Sequence, residues 1–165
     1  MSGAPRFWPH LLRAAVSPKD LAPQDLAPED LLPEDLAPLA AAARALGLRI
    51  GWLALADVPP APVPAKLEQA ASIGVLRAVA VGGGRTLSLK PMRGAPVLRD
   101  LLREHFRGCA LVVVEGALES LEAALSDAAT LEAMGDDRFR VTSAEGARVW
   151  SADVLAARFK RPRPW

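Results

Sequence analysis

The order of helix-like and strand-like stretches predicts an α/β or α+β fold: a single layered domain, with helices packed on a mixed sheet of about six strands that includes two β-hairpins. Three observations lead there. Apolar runs at 50–56 and 109–114 suit interior strands, and both are far below the roughly 20 residues that cross a bilayer. Amphipathic stretches at helical spacing alternate with those runs. Two further strand-like pairs are joined at glycines, which marks hairpins and weakens a purely parallel reading. The chain has 165 residues, 51% apolar and 24% charged, enough for one core-bearing domain and too apolar for wholesale disorder.

Residues 1–38 read as an N-terminal arm of low regular structure. Arg6, His10 and Arg13 together with Pro5 and Pro9 interrupt its first stretch, so no signal-peptide core forms and a soluble, cytoplasmic protein is expected. From Pro18 the sequence repeats as Pro-x-Asp-Leu-Ala, with prolines at 18, 23, 28, 33 and 38. A proline every fifth residue removes a backbone donor per repeat and clashes one turn back, so each copy makes at most one turn. Lys19 stands against Asp20, Asp25, Glu29, Asp30, Glu34 and Asp35, a net charge of −5 over 17–38. The repeat is either a spacer or a multivalent tether in which Leu21, Leu26, Leu31 and Leu36 offer apolar-acidic contacts. Any groove that accepts it should be basic with apolar pockets.

Residues 39–159 read as the α/β domain. Pro38 suits a helix's first turn, and the alanine-rich run after it, closed by Gly47, predicts a helix near 34–46. The run 48–56 predicts a strand, the prolines of 57–64 a stiff connection, and Leu67, Ala70, Ala71 and Ile73 a helix over 65–73. Two short runs around Gly82, Gly83 and Gly84 predict a hairpin over 77–90. Val97, Leu98, Leu101, Leu102 and Phe106 share one face of a helix over 95–107. A strand follows at 110–115, then a helix carrying Leu118, Leu121, Leu125 and Ala128 and ending near Gly135. A second hairpin over 138–150 precedes a helix from 152 to about 159, with Ser151 as its cap. Residues 160–165 form a basic tail, and Arg158, Lys160, Arg161 and Arg163 place four cations and no acid within the eight residues 158–165.

Chemistry-bearing patterns are sparse. Gly82-Gly83-Gly84-Arg85-Thr86 fails the spacing of both the P-loop and the dinucleotide fingerprint, and a strand rather than a helix follows it. No metal or nucleophile signature occurs, so neither a metal nor a cofactor is expected. Cys109 opens a buried strand, where a thiol behaves as a small hydrophobe, and His105 reads as a boundary residue. Lys90 and Arg93 precede a helix start and could converge on an anion there. Glu115 and Asp57 lie at strand ends, where open α/β sheets bind ligands. Those four residues are the candidate ligand site.

These features predict a non-catalytic protein-interaction or assembly module. Its contacts would be Leu21, Leu26, Leu31, Leu36, Trp8, Arg161, Arg163 and Trp165, reaching a protein partner or a second copy. The alternative is a small enzyme or ligand-binding domain for a phosphorylated or carboxylate compound. Nucleic-acid binding through the basic tail, with Trp165 stacking on a base, is a weaker third reading. The net charge of +1 announces no nucleic-acid or membrane partner.

Overall fold

Leu111 to Val114 carry four consecutive apolar side chains, so a strand built from them has no polar face to give to water. In the computed structural model each is 1% exposed or less. The structure describes residues 7–15, 31–56, 65–73, 77–90, 94–160 and 163–164. Its elements in chain order are β1 (Phe7–Trp8), β2 (His10–Ala14), a 3-10 turn (Pro33–Leu36), α1 (Ala37–Ala45), β3 (Ile50–Leu55), α2 (Ala65–Ser72), β4 (Ala78–Gly82) and β5 (Arg85–Leu89). Then follow α3 (Leu98–His105), β6 (Leu111–Gly116), α4 (Glu119–Leu125), β7 (Ala129–Ala133), β8 (Arg138–Ser143), β9 (Gly146–Ser151), α5 (Ala152–Arg158) and β10 (Arg163–Pro164). The described residues fall into two compact units, one up to residue 55 and again from 97, the other within 56–96.

The first unit is built on a six-stranded sheet of order β3-β6-β2-β7-β8-β9. Its first four strands are parallel and its last two antiparallel. Leu111 therefore lies opposite both His10 and Ile50, at the start of all three strands. On one face, Leu12, Leu111, Val113, Leu131 and Phe139 pack with Leu39 of α1 and Leu155 of α5. On the other, Val112 and Val114 pack with Leu98 and Leu102 of α3 and Leu121 and Leu125 of α4. From β2 the chain passes α1 to reach β3, beyond β6; from β3 to β6 and from β6 to β7 it travels the opposite way, through α3 and α4. The change of direction coincides with the change of face, which a single crossover hand demands.

β6 ends against β3 more closely than a side chain allows. Gly116 has φ +76°, and a Cβ there would run into the carbonyl oxygen of Leu55. Ser151 caps α5, its hydroxyl accepting the Val154 N–H at 3.4 Å, as the sequence indicates. β1 and β10 pair antiparallel, Trp8 opposite Arg163, which brings the two ends of the described chain together.

The last copy of the repeat makes the single turn that its proline permits. Asp35 Oδ2 accepts the Leu32 N–H at 2.8 Å, closing that turn, and α1 follows with Pro38 in its first turn. Leu31 and Leu36 are 3% and 6% exposed, part of the core formed with α1 and α5. The Leu31 N–H donates to the Ala15 carbonyl at 3.0 Å, so the residues on either side of 16–30 meet at the C-terminal end of β2.

The second unit packs α2 on the β4–β5 hairpin, with Leu67 and Ala78 buried. Its turn, Gly83-Gly84, has φ +55° and +71°, the pair of positive values that a two-residue hairpin turn requires.

The mixed α/β class stands, and the sheet has the predicted number of strands with a different membership. The β4–β5 hairpin forms its own two-stranded sheet, while β2 and β7 join the main one. Residues 10–14 and 33–36, counted with the arm on sequence, form β2 and the 3-10 turn. The helix predicted to run from Leu118 toward Gly135 stops at Leu125, and residues 129–133 are strand β7. Leu131 keeps helical spacing with Leu121, Leu125 and Ala128, yet parallel pairing with β2 places it fully inside the core, which outweighs local propensity.

Replacing Leu31 or Leu36 by alanine leaves a cavity in that core, so each variant should lose about 2–4 kcal/mol of stability in urea unfolding. Deleting residues 21–25 shortens the closed segment from fifteen residues to ten. Closure entropy grows only as the logarithm of length, so that deletion should change stability by about 0.4 kcal/mol.

Candidate functional site

The parallel strands β2 and β7 begin at one edge of the sheet, and there the first unit opens a cleft of about 900 Å³. Pro9 and His10 line it from the start of β2, Ala128 and Ala129 from the start of β7. Because β8 runs antiparallel to β7, its end at Val141 and Ser143 reaches the same edge, as does the start of β9 at Gly146 and Arg148. Leu155 and Phe159 close one side, Leu98 and Leu102 the other. The walls are mainly aliphatic, the composition of a site that accepts an apolar group.

Charged and aromatic groups concentrate on the β9 side. The Arg158 guanidinium lies 4.3 Å from the centroid of the Trp150 ring, a cation–π contact that leaves its N–H edge for an acceptor. Arg148 is two residues before Trp150 and shares its face of β9. Among the described residues no ion pair holds Arg148 or Arg158. The His10 ring packs 5.0 Å from Phe159, tilted by 58°. Among the described residues the lining holds Arg99, Arg148 and Arg158 with Asp127 and Glu145, three formal positive charges and two negative. Glu145 belongs to the β8–β9 turn, where its N–H donates to the Ser143 hydroxyl at 3.3 Å.

The opposite edge holds one of the residues singled out from sequence. Glu115, near the end of β6, accepts the Trp52 indole N–H at 3.0 Å, so its carboxylate is tied to β3. Nearby in the sheet, Arg13 of β2 forms a two-point pair with Glu122 of α4, both bonds at 3.1 Å. Lys90 is an exposed residue of the second unit, whereas Asp57 and Arg93 lie outside the described residues. Glu115 does not line the cleft.

The expected partner contacts also divide. Leu31 and Leu36 are core residues, which removes them from any surface role in this fold. Leu21, Leu26, Arg161 and Trp165 lie outside the described residues, while Trp8 and Arg163 contribute backbone to the β1–β10 pair. Sequence reasoning missed Arg148 and Trp150 and read Arg158 only as part of a basic tail. The readable signal was an arginine and a tryptophan two apart on a strand, hence on one face.

Burial pushes the Cys109 thiol up from its ordinary range, with the Arg49 guanidinium offsetting part of the effect. Among the described residues no group of three or more His, Cys, Asp or Glu could hold a metal, and no helix is long and apolar enough to cross a membrane. No protein-family model matches the chain, and no curated protein matches its sequence.

A raised pKa means less thiolate in the folded protein than in the unfolded chain at the same pH. Alkylation of Cys109 by iodoacetamide at neutral pH should therefore be several-fold slower in the native protein than in urea. The difference should narrow as pH rises above the thiol's ordinary range.

Proposed function

We propose that the first unit is a non-catalytic binding module whose cleft receives a protein segment carrying a carboxylate beside a branched aliphatic side chain. One observation supports this above the others: two guanidinium groups without ion-pair partners among the described residues stand beside aliphatic walls. Arg158, steadied by the Trp150 ring, presents a fork that matches a carboxylate, and Arg148 adds a second donor set from the same strand. The apolar part of the segment would then displace water from the partly exposed side chains of Leu11, Val97 and Val141. The non-catalytic part of the reading rests on the lining itself. His10 is packed against Phe159, and the Ser143 hydroxyl is used within its turn.

A second reading takes the same groups differently. About 900 Å³ falls within the range of small-molecule sites, so an apolar carboxylate or phosphate compound is the competing occupant.

An array of short peptides in which an acid stands next to leucine, next to alanine, or is replaced by its amide separates the two readings. Acid-leucine peptides should bind at least tenfold more tightly than the amide series, and Arg148→Glu with Arg158→Glu should remove the difference. Retention of no acid-leucine peptide, with a small apolar carboxylate bound instead, would transfer the cleft to the second reading.

A further inference from the structure

Resting on that binding reading, we infer that the segment received by the cleft is the acidic repeat of a second copy of this chain, so that copies associate arm into cleft. The cleft asks for an acid next to a leucine, and the repeat supplies that pair four times, at Asp20-Leu21, Asp25-Leu26, Asp30-Leu31 and Asp35-Leu36. The last two leucines are already part of the core. The first two pairs take the intermolecular role, both within 16–30, where Lys19 is opposed by Asp20, Asp25, Glu29 and Asp30. That charge is opposite in sign to the guanidinium groups of Arg148 and Arg158.

Position in the fold decides the geometry of the contact. Ala15 and Leu31, which flank residues 16–30, are joined by a hydrogen bond at the C-terminal end of β2, whereas the cleft opens at the N-terminal end of the same strand. The five residues of β2 separate the two by about 16 Å along the sheet. The ends of the segment and the cleft thus lie at opposite ends of β2, so the surface an arm leaves on one copy is not the surface it enters on another. Two acid-leucine pairs in one segment raise its effective concentration at the cleft without a stronger individual contact.

Sedimentation velocity over a range of protein concentrations tests this on the full chain. The wild type should self-associate as concentration rises, and raising the salt about tenfold should weaken the association, because exposed charge pairs are screened. A cleft variant, Arg148→Glu with Arg158→Glu, and an arm variant, Asp20→Asn and Asp25→Asn with Leu21→Ser and Leu26→Ser, should each be monomeric alone. Mixed, they should form a one-to-one dimer, because one retains an arm and the other a cleft. Circular dichroism and urea unfolding of each variant establish that the loss of association is not a loss of fold. A peptide of residues 19–30 should bind the arm variant and compete with that dimer.

A wild type that stays monomeric at every concentration overturns the inference, as does association that survives in both variants or a mixture that stays monomeric. A monomer whose cleft still binds unrelated acid-leucine peptides overturns the second-copy assignment and leaves the binding reading standing. Failure of both kinds of peptide removes the two together.

Discussion

Strand β6 sets the terms for the rest of the first unit. Its four central residues are apolar on both faces, so the sheet needs a helical layer on each side and a paired strand at each edge of β6. β3 and β2 supply the edges, α1 and α5 one layer, α3 and α4 the other. This requirement draws residues 10–14 into the middle of the sheet, although on sequence they stand apart in a proline-flanked N-terminus. It also explains why Arg13 can occupy a central strand. Its two-point pair with Glu122 satisfies the guanidinium where the neighbouring positions are buried.

What local pattern could show, it showed well. β3, β6, both hairpins, α3 and the Ser151 cap of α5 follow from alternation, helical spacing and turn chemistry, all of which act within a few residues. β2 and β7 lay beyond such reasoning because their mutual pairing joins distant parts of the chain. Leu12 pairs with Ala129 and Ala14 with Leu131, contacts more than a hundred residues apart in sequence. Arg13 posed the same difficulty, since the carboxylate that balances it is 109 residues away. The site was less legible than the fold. Strand-end reasoning pointed to Glu115 and Asp57, at the edge opposite the cleft or outside the described residues. The groups that line the cleft converge only through the antiparallel return of β8 and β9, which the linear sequence does not order relative to β2.

The proline repeat shows how a low-complexity segment can contribute to a core. A five-residue period cannot sustain a helix, but a single copy can make one capped turn and present its leucine inward. Pro33 to Leu36 does this, and Leu31 enters the same core one period earlier. Among the described residues, two leucines of these near-identical units reach the core formed by the sheet, α1 and α5. The neighbouring copies differ from these by position rather than by composition.

That division separates two quantities that usually change together. The stability of the α/β unit depends on the leucines nearest α1 and on the hydrogen bond between Leu31 and Ala15, which fixes where the segment begins and ends. The reach and valence of the segment depend on how many copies lie between those fixed ends. Each added copy costs only a logarithmic increment of closure entropy, yet brings one more acid beside one more leucine. Copy number can therefore change the number of acid-leucine pairs in the chain while the Leu31–Ala15 hydrogen bond and the core leucines Leu31 and Leu36 stay in place.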